Sequence, residues 1–179
     1  MTKTALIIGS LSRASINRTV AQHLAAQAPE GVVVEEVQIG DLPLYTQDLD
    51  SESIPAYERV RAQLQAADAV LIVSPEHNRS MPAAVKNLLD IASRPAGKSL
   101  WGGKKTAVIT ASPGSYGGIN SGLHIRQSLQ AMSADVMIAP EVFLSRAHTA
   151  LADGQVSDAR TAAFLNKFAA AFYAWAQAE

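Results

Sequence analysis

The chain has 179 residues, 48% hydrophobic and 17% charged, which suits one compact domain spanning 1–179 with a substantial core. A net charge of −1 provides no basic surface for nucleic acid, no run of like charges marks an interaction tail, and the absence of cysteine excludes disulfides, thiolate clusters and a thiol nucleophile. Redox chemistry would therefore have to come from a cofactor, and with no signal peptide and no apolar stretch of the ~18 residues that span a membrane, a cytoplasmic protein without a membrane partner is expected.

Apolar patterning alternates between strands and amphipathic helices. Thr4–Gly9 reads as the first strand, and Ile16, Val20, Leu24 and Ala28 follow at helical spacing. Val32–Ile39, rich in β-branched residues, reads as the second strand. The stretch GDLPLYTQDLDSES is a long loop, after which Tyr57, Val60, Leu64 and Ala67 line a helix face. Ala69–Val73 is a continuous apolar run, as in a central strand covered on both faces. A helix starts near Ser80 as N-cap, with Pro82 in its first turn and Val85, Leu88, Leu89 and Ala92 on its buried side. Lys105–Ala111 is strand four, Asn120–Met132 a helix, Val136–Val142 strand five and Asp158–Ala178 the closing helix. In that last helix Phe164, Phe168, Phe172 and Trp175 read as one face packed on the sheet. Five βα units without repeat or linker predict an α/β fold: a doubly wound, five-stranded parallel sheet of flavodoxin-like order 2-1-3-4-5 with helices on both faces.

Three loops follow buried strands, so all emerge at the carboxyl edge where such sheets bind ligands. The first, GSLSRASINR, brings Ser10, Ser12, Ser15 and Asn17 to the start of a helix, next to Ile16, where unpaired amides and the macrodipole suit a phosphate. Arg13 and Arg18 can add forked donors, although Ser15 or Asn17 could equally be an ordinary helix cap. Neither GxxxxGK[ST] nor GxGxxG occurs, which argues against a nucleoside triphosphatase or a dinucleotide Rossmann grip.

The second loop, SPEHNRSMP, holds Pro75, Glu76, His77 and Asn78 in a rigid turn suited to the edge of a planar heterocycle, while Glu76 reads equally well as a loop-stabilising carboxylate. His23, His77, His124 and His148 lack ligand-like spacing, so no metal is expected. In the third loop, ASPGSYGG, Gly114 and Gly117 allow close backbone approach to a ligand, Ser112 and Ser115 add hydroxyls, and Tyr116 offers a ring. The loop is not GxSxG, and no hydrolase triad is implied.

These residues resemble the NAD(P)H-dependent FMN reductase family, including bacterial quinone and chromate reductases. Its patterns GSLRxxSxN, PEYNxSxPxxLKNxxD and SxGxxGG are matched in order by GSLSRASIN, PEHNRSMPAAVKNLLD and SPGSYGG. The resemblance implies that Ser10, Ser15 and Asn17, with Ser12, Arg13 and Ile16 beside them, hold the FMN phosphate. It implies further that Pro75, Glu76, His77 and Asn78 border the isoalloxazine, and that Ser112, Gly114, Tyr116 and Gly117 lie on its pyrimidine side. Ser12 stands where the family often has Arg, and His77 replaces the usual Tyr. The implied reaction is ping-pong: NAD(P)H gives hydride to flavin N5 and leaves, then a quinone, free flavin, azo dye or chromate takes two electrons. No protein acid or base is required. A homodimer or homotetramer is implied too. A flavodoxin-type electron carrier and a binding module for another phosphorylated ligand share this fold, although a net charge of −1 lacks the acidic docking surface of a carrier.

Overall fold

The computed structural model describes residues 1–178. Strand β1 (Thr2–Ile8) leads into helix α1 (Ile16–Ala25) and strand β2 (Val32–Glu36), and the long loop that follows contains a 3-10 turn at Gln47–Ser51. Then come α2 (Pro55–Ala66), β3 (Ala69–Ser74), α3 (Ala83–Ser93), β4 (Lys105–Ala111) and α4 (Ile119–Ala131). Two short strands, β5 (Asp135–Val136) and β6 (Val142–Leu144), precede a small hairpin of β7 (Leu151–Ala152) and β8 (Gln155–Val156). Helix α5 (Ala159–Gln177) follows, with Asp158 as its N-cap.

The main sheet is parallel, in the expected order β2-β1-β3-β4-β5, and β6 also pairs with β4. Its pleat sends alternate side chains to opposite faces. Leu6, Ile8, Leu71, Val73 and Ile109 pack with Val20 and Leu24 of α1 and with Phe168 and Phe172 of α5. Ala5, Ile7, Val70, Ile72 and Val108 pack with Val60 and Leu64 of α2, Leu88 of α3 and Leu129 of α4. Every residue of β3 is buried, which explains its unbroken apolar run.

Several boundaries differ from the expectation. The fifth strand is not continuous over Val136–Val142: β5 and β6 flank a break at 137–141. Pro140 has no amide to donate to the ladder, and the Arg126 guanidinium donates instead to Met137 O at 2.7 Å and Val108 O at 3.3 Å. The second strand ends at Glu36, although Val37 still donates to Leu6 O and the buried Val37 and Ile39 belong to the core. Helix α3 begins after Pro82 and not at Ser80, because Ser80 is held in a reciprocal backbone pair with His77. In α5 three of the four aromatics pack on the core as expected, and Phe164 does not. Phe168 and Phe172 are buried and stacked and Trp175 is half-buried beside Phe172, whereas Phe164, one turn nearer the start of the helix, lies exposed.

Candidate functional site

Strands β1, β3 and β4 are adjacent and parallel, so the loops at 9–15, 75–82 and 112–118 leave the sheet side by side. Close contacts lock them together. A Cβ on Gly9 would lie 2.8 Å from both Ser74 Oγ and Val85 Cγ2, so glycine is what lets the first loop pass the end of β3 and the first turn of α3 that flank the second loop. Asn17 Nδ2 donates to Ala111 O at 3.1 Å, joining α1 to the end of β4. Ser121 Oγ donates to Pro75 O at 2.8 Å, joining α4 to the second loop.

In the first loop Ser15 is the N-cap of α1, its hydroxyl accepting from Arg18 N at 3.1 Å. The earlier amides of that turn have no intrahelical acceptor. Ser10 Oγ accepts weakly from Ser12 N at 3.4 Å, and Ser12 and Arg13 are exposed. Ile16 is half-buried against the α1–α5 core. Asn17 is 3% exposed, and its Oδ1 is buried without a partner. Arg18 is not free for an anion. It forms a two-pronged pair with Glu36 at 2.8 and 2.9 Å, which raises the guanidinium pKa and holds the carboxyl below its usual range. A recess of about 400 Å³ opens between the start of α1 and the β7–β8 hairpin, with Arg13, Ser15 and Ile16 in its wall.

In the second loop Glu76 faces inward: its Oε2 accepts from Asn120 N at 2.9 Å and Ser121 N at 3.2 Å, capping α4 and opposing the dipole there. The loop-stabilising reading of this carboxylate is thus realised in the structure. His77 and Ser80 exchange backbone bonds of 2.9 Å, closing a turn in which Asn78 and Arg79 both have positive φ. His77 and Asn78 are exposed, Pro75 is half-buried, and Ser80 Oγ lies 3.0 Å from His124 Nδ1. Arg79 lies 4.5 Å from the centroid of the exposed Tyr116 ring and 3.8 Å from Glu76 Oε1.

The third loop is anchored by its backbone. Ser112 N donates to Leu144 O at 3.0 Å, Arg146 N to Gly114 O at 2.9 Å, and Thr110 Oγ1 to Gly117 O at 2.7 Å. Ser112 Oγ accepts from Gly114 N at 3.1 Å. The amides of Ser115, Tyr116 and Gly117 are left without a backbone acceptor among the described residues. Gly117 and Gly118 sit at φ 63° and 78°, and Gly117 presses against the backbone of Phe143.

The fourteen residues singled out in the three motifs therefore all lie on these adjacent loops or in the first turn of α1. Sequence reasoning missed three features. Arg79 was passed over because only through-space contact with Tyr116 distinguishes it. Arg126 holds the broken strand, and its signal was a cation at the helical spacing of the buried Gly122 and Leu129. The hairpin beside α1 was legible in the Asp153-Gly154 dipeptide, a turn signature.

The donor set fits FMN. Serine hydroxyls, first-turn amides and Arg13 suit a phosphate. The orphaned Asn17 Oδ1 can accept from an N–H or O–H donor, a ribityl hydroxyl among them, and the unbonded amides of the third loop suit carbonyl oxygens of a heterocycle. Fold and loops together define a doubly wound α/β protein whose sheet edge is suited to a phosphorylated ligand. The family described as NADPH-dependent FMN reductase matches residues 2–149, and the chain belongs to it. It is accordingly an oxidoreductase of a flavin-using, NAD(P)H-dependent class.

A quinone reductase of Pseudomonas putida is 42% identical over 172 residues, covering 96% of this chain and 92% of the relative. A 2-hydroxy-1,4-benzoquinone reductase of a Burkholderia species is 39% identical over 174 residues, covering 97% and 95%. Among solved structures, the flavoenzyme NAD(P)H:(acceptor) oxidoreductase FerB of Paracoccus denitrificans superposes with a TM-score of 0.90 at 35% identity, covering 99% of this chain and 98% of that one.

Proposed function

We propose that this chain is an FMN-bound reductase that oxidises NAD(P)H and passes two electrons to small acceptors, quinones foremost, with donor and acceptor taking turns at one pocket. The observation that carries this reading is Asn17. A buried amide oxygen without a partner, beside the open first turn of α1, calls for a ligand that brings both a phosphate and hydroxyl donors. Ser10, Ser12, Arg13, Ser15, Ile16 and Asn17 seat the phosphate and ribityl end. Pro75, Glu76, His77 and Asn78 border the ring, and Ser112, Gly114, Tyr116 and Gly117 line its polar edge. Bound there, FMN would supply the hydride and electron chemistry.

The residues orient and polarise. The third-loop amides favour negative charge at the ring's carbonyl edge, and none acts as a required acid or base. Quinones are favoured because two relatives of 42% and 39% identity carry that activity in their names. Free flavin, azo dyes and chromate fit the same two-electron demand. A homodimer or homotetramer working in the cytoplasm completes the reading, and no helix among the described residues is long and apolar enough to cross a membrane.

The test is an anaerobic absorbance spectrum of protein reconstituted with FMN, before and after NADH or NADPH and then after a benzoquinone. Bleaching by the nucleotide and recovery with the quinone are expected. FMN that binds but stays yellow would refute the enzyme in favour of an electron carrier, and no binding would refute the shared pocket.

A further inference from the structure

The turn at 77–80 carries an arginine in an unusual setting. Its two central residues, Asn78 at φ 48° and Arg79 at φ 67°, occupy positions where hairpin turns of this shape favour Asn followed by Gly. A bulky residue rarely adopts such a φ, and residues held there cluster at ligand-binding and catalytic sites. The backbone is kept in place by the paired His77–Ser80 bonds, by Ser80 Oγ near His124 Nδ1, and by Glu76 capping α4.

The Arg79 side chain is held loosely, as are those of Arg13, Arg94, Arg146 and Arg160, but among the described residues it alone rests over an aromatic ring at the edge of the second and third loops. Arg18 and Arg59 make two-pronged pairs with carboxylates at 2.7–2.9 Å, and Arg61 and Arg126 donate to backbone carbonyls. Arg79 donates no hydrogen bond to oxygen among the described residues. Its guanidinium rests over the exposed Tyr116 ring, 3.8 Å from a Glu76 carboxylate whose other oxygen already accepts two amides. The Tyr116 contact is an exposed one of the weak kind, the ion pair to the mostly covered Glu76 carboxylate is too long for a hydrogen bond, and neither uses the planar fork of donors that makes Arg a phosphate ligand.

Its location separates it from the phosphate seat at α1. Helix α1 packs on the sheet face shared with α5, whereas the 77–80 turn leads into α3 and touches α4, on the opposite face. One phosphate cannot occupy both positions. A second ligand entering between the second and third loops would meet Arg79 at the rim, and a pyridine dinucleotide brings phosphates that a neutral quinone lacks.

Resting on the reading of the site as an FMN reductase, we infer that Arg79 is the donor-specificity residue: its guanidinium leaves Tyr116 to grip a phosphate of the incoming NAD(P)H. Donor and acceptor are then told apart at the rim by charge, although they share the pocket beneath.

The experiment uses FMN-loaded protein and its Arg79→Ala and Arg79→Lys variants, with steady-state KM measured separately for NADPH, NADH and an uncharged benzoquinone. Arg79→Ala is expected to raise the donor KM about tenfold, the scale of losing one charge-assisted contact, with the quinone KM changed by less than about twofold. Arg79→Lys, which keeps the charge and loses the fork, falls between. A rise confined to NADPH identifies the ribose 2′-phosphate as the group gripped, and an equal rise for both nucleotides identifies the pyrophosphate.

FMN stoichiometry and thermal midpoint serve as the readout of a merely structural role. If donor and quinone KM rise together with loss of FMN, Arg79 only pins the turn and the assignment is overturned. An unchanged donor KM overturns it as well. Parent protein that retains no FMN would instead overturn the reading of the site itself.

Discussion

Replacing Gly117 by alanine probes whether the third loop is fixed by contact with the neighbouring strand. The residue sits at φ 63°, and a Cβ built there lies 2.6 Å from Phe143 O, 2.8 Å from Phe143 C and 3.0 Å from Ser145 N. All three are backbone atoms of β6 or the residue just after it, so no rotamer change relieves the overlap. The left-handed conformation costs an L-residue about 1–2 kcal/mol, and shifting packed backbone costs about 1–3 kcal/mol more. Gly117→Ala should therefore lose about 2–5 kcal/mol. Gly114→Ala, in the same loop, is the control: its φ is not positive and its Cβ meets only Ser112 Oγ at 3.4 Å, an ordinary contact. It should change stability by no more than about 0.5 kcal/mol. Urea unfolding of both apoproteins, compared by midpoint and slope, checks this. Equal stability of the two variants would refute the claim that β6 positions the loop. A weaker FMN affinity in Gly117→Ala would tie the same displacement to the site.

Other perturbations read separate links. Asn17→Asp puts a negative charge where the phosphate is proposed and removes the donor to Ala111 O, so FMN titration should show clearly weakened binding; tight, stoichiometric flavin would sink the assignment of the first loop. Glu76→Ala strips two amide partners from the start of α4 and should cost about 1–2 kcal/mol in urea, and Glu76→Gln, which keeps an acceptor, should recover part of it. Burial pushes the Tyr173 phenol up to about 12, and its hydroxyl donates to Leu24 O at 3.0 Å. The unfolded chain ionises this group near pH 10 and the folded one only near 12, so its contribution is intact below pH 10 and is lost as pH rises toward 12, by on the order of 2 kcal/mol. Tyr173→Phe should be less stable at pH 8 by roughly 1 kcal/mol, yet lose less between pH 10 and 12; parallel pH profiles for the two proteins would contradict this.

The order of the sheet was legible because burial on both faces leaves a plain trace: β3 is a continuous apolar run and β1 and β4 carry long buried, mostly apolar stretches, and parallel strands joined by crossovers then put their following loops on one edge. The break at 137–141 was not, since Val136, Met137 and Val142 keep the apolar pattern of a strand while the disruption comes from Pro140 and from Arg126, an element away. The site divides in the same manner. Residue types in the three motifs announce which loops meet, because hydroxyls, amides and glycines are needed wherever backbone approaches a phosphate or a heterocycle. The partner each side chain takes depends on through-space competition that spacing does not encode. Arg13 and Arg18 look alike in sequence, but Glu36 on β2 draws Arg18 into a fork and leaves Arg13 at the mouth of the recess. Glu76 is taken inward by the amides of α4, and that leaves Arg79 with only a long 3.8 Å ion pair to its other oxygen and no hydrogen bond to it. The charge available to an incoming anion is thus decided by which cations the fold has already neutralised.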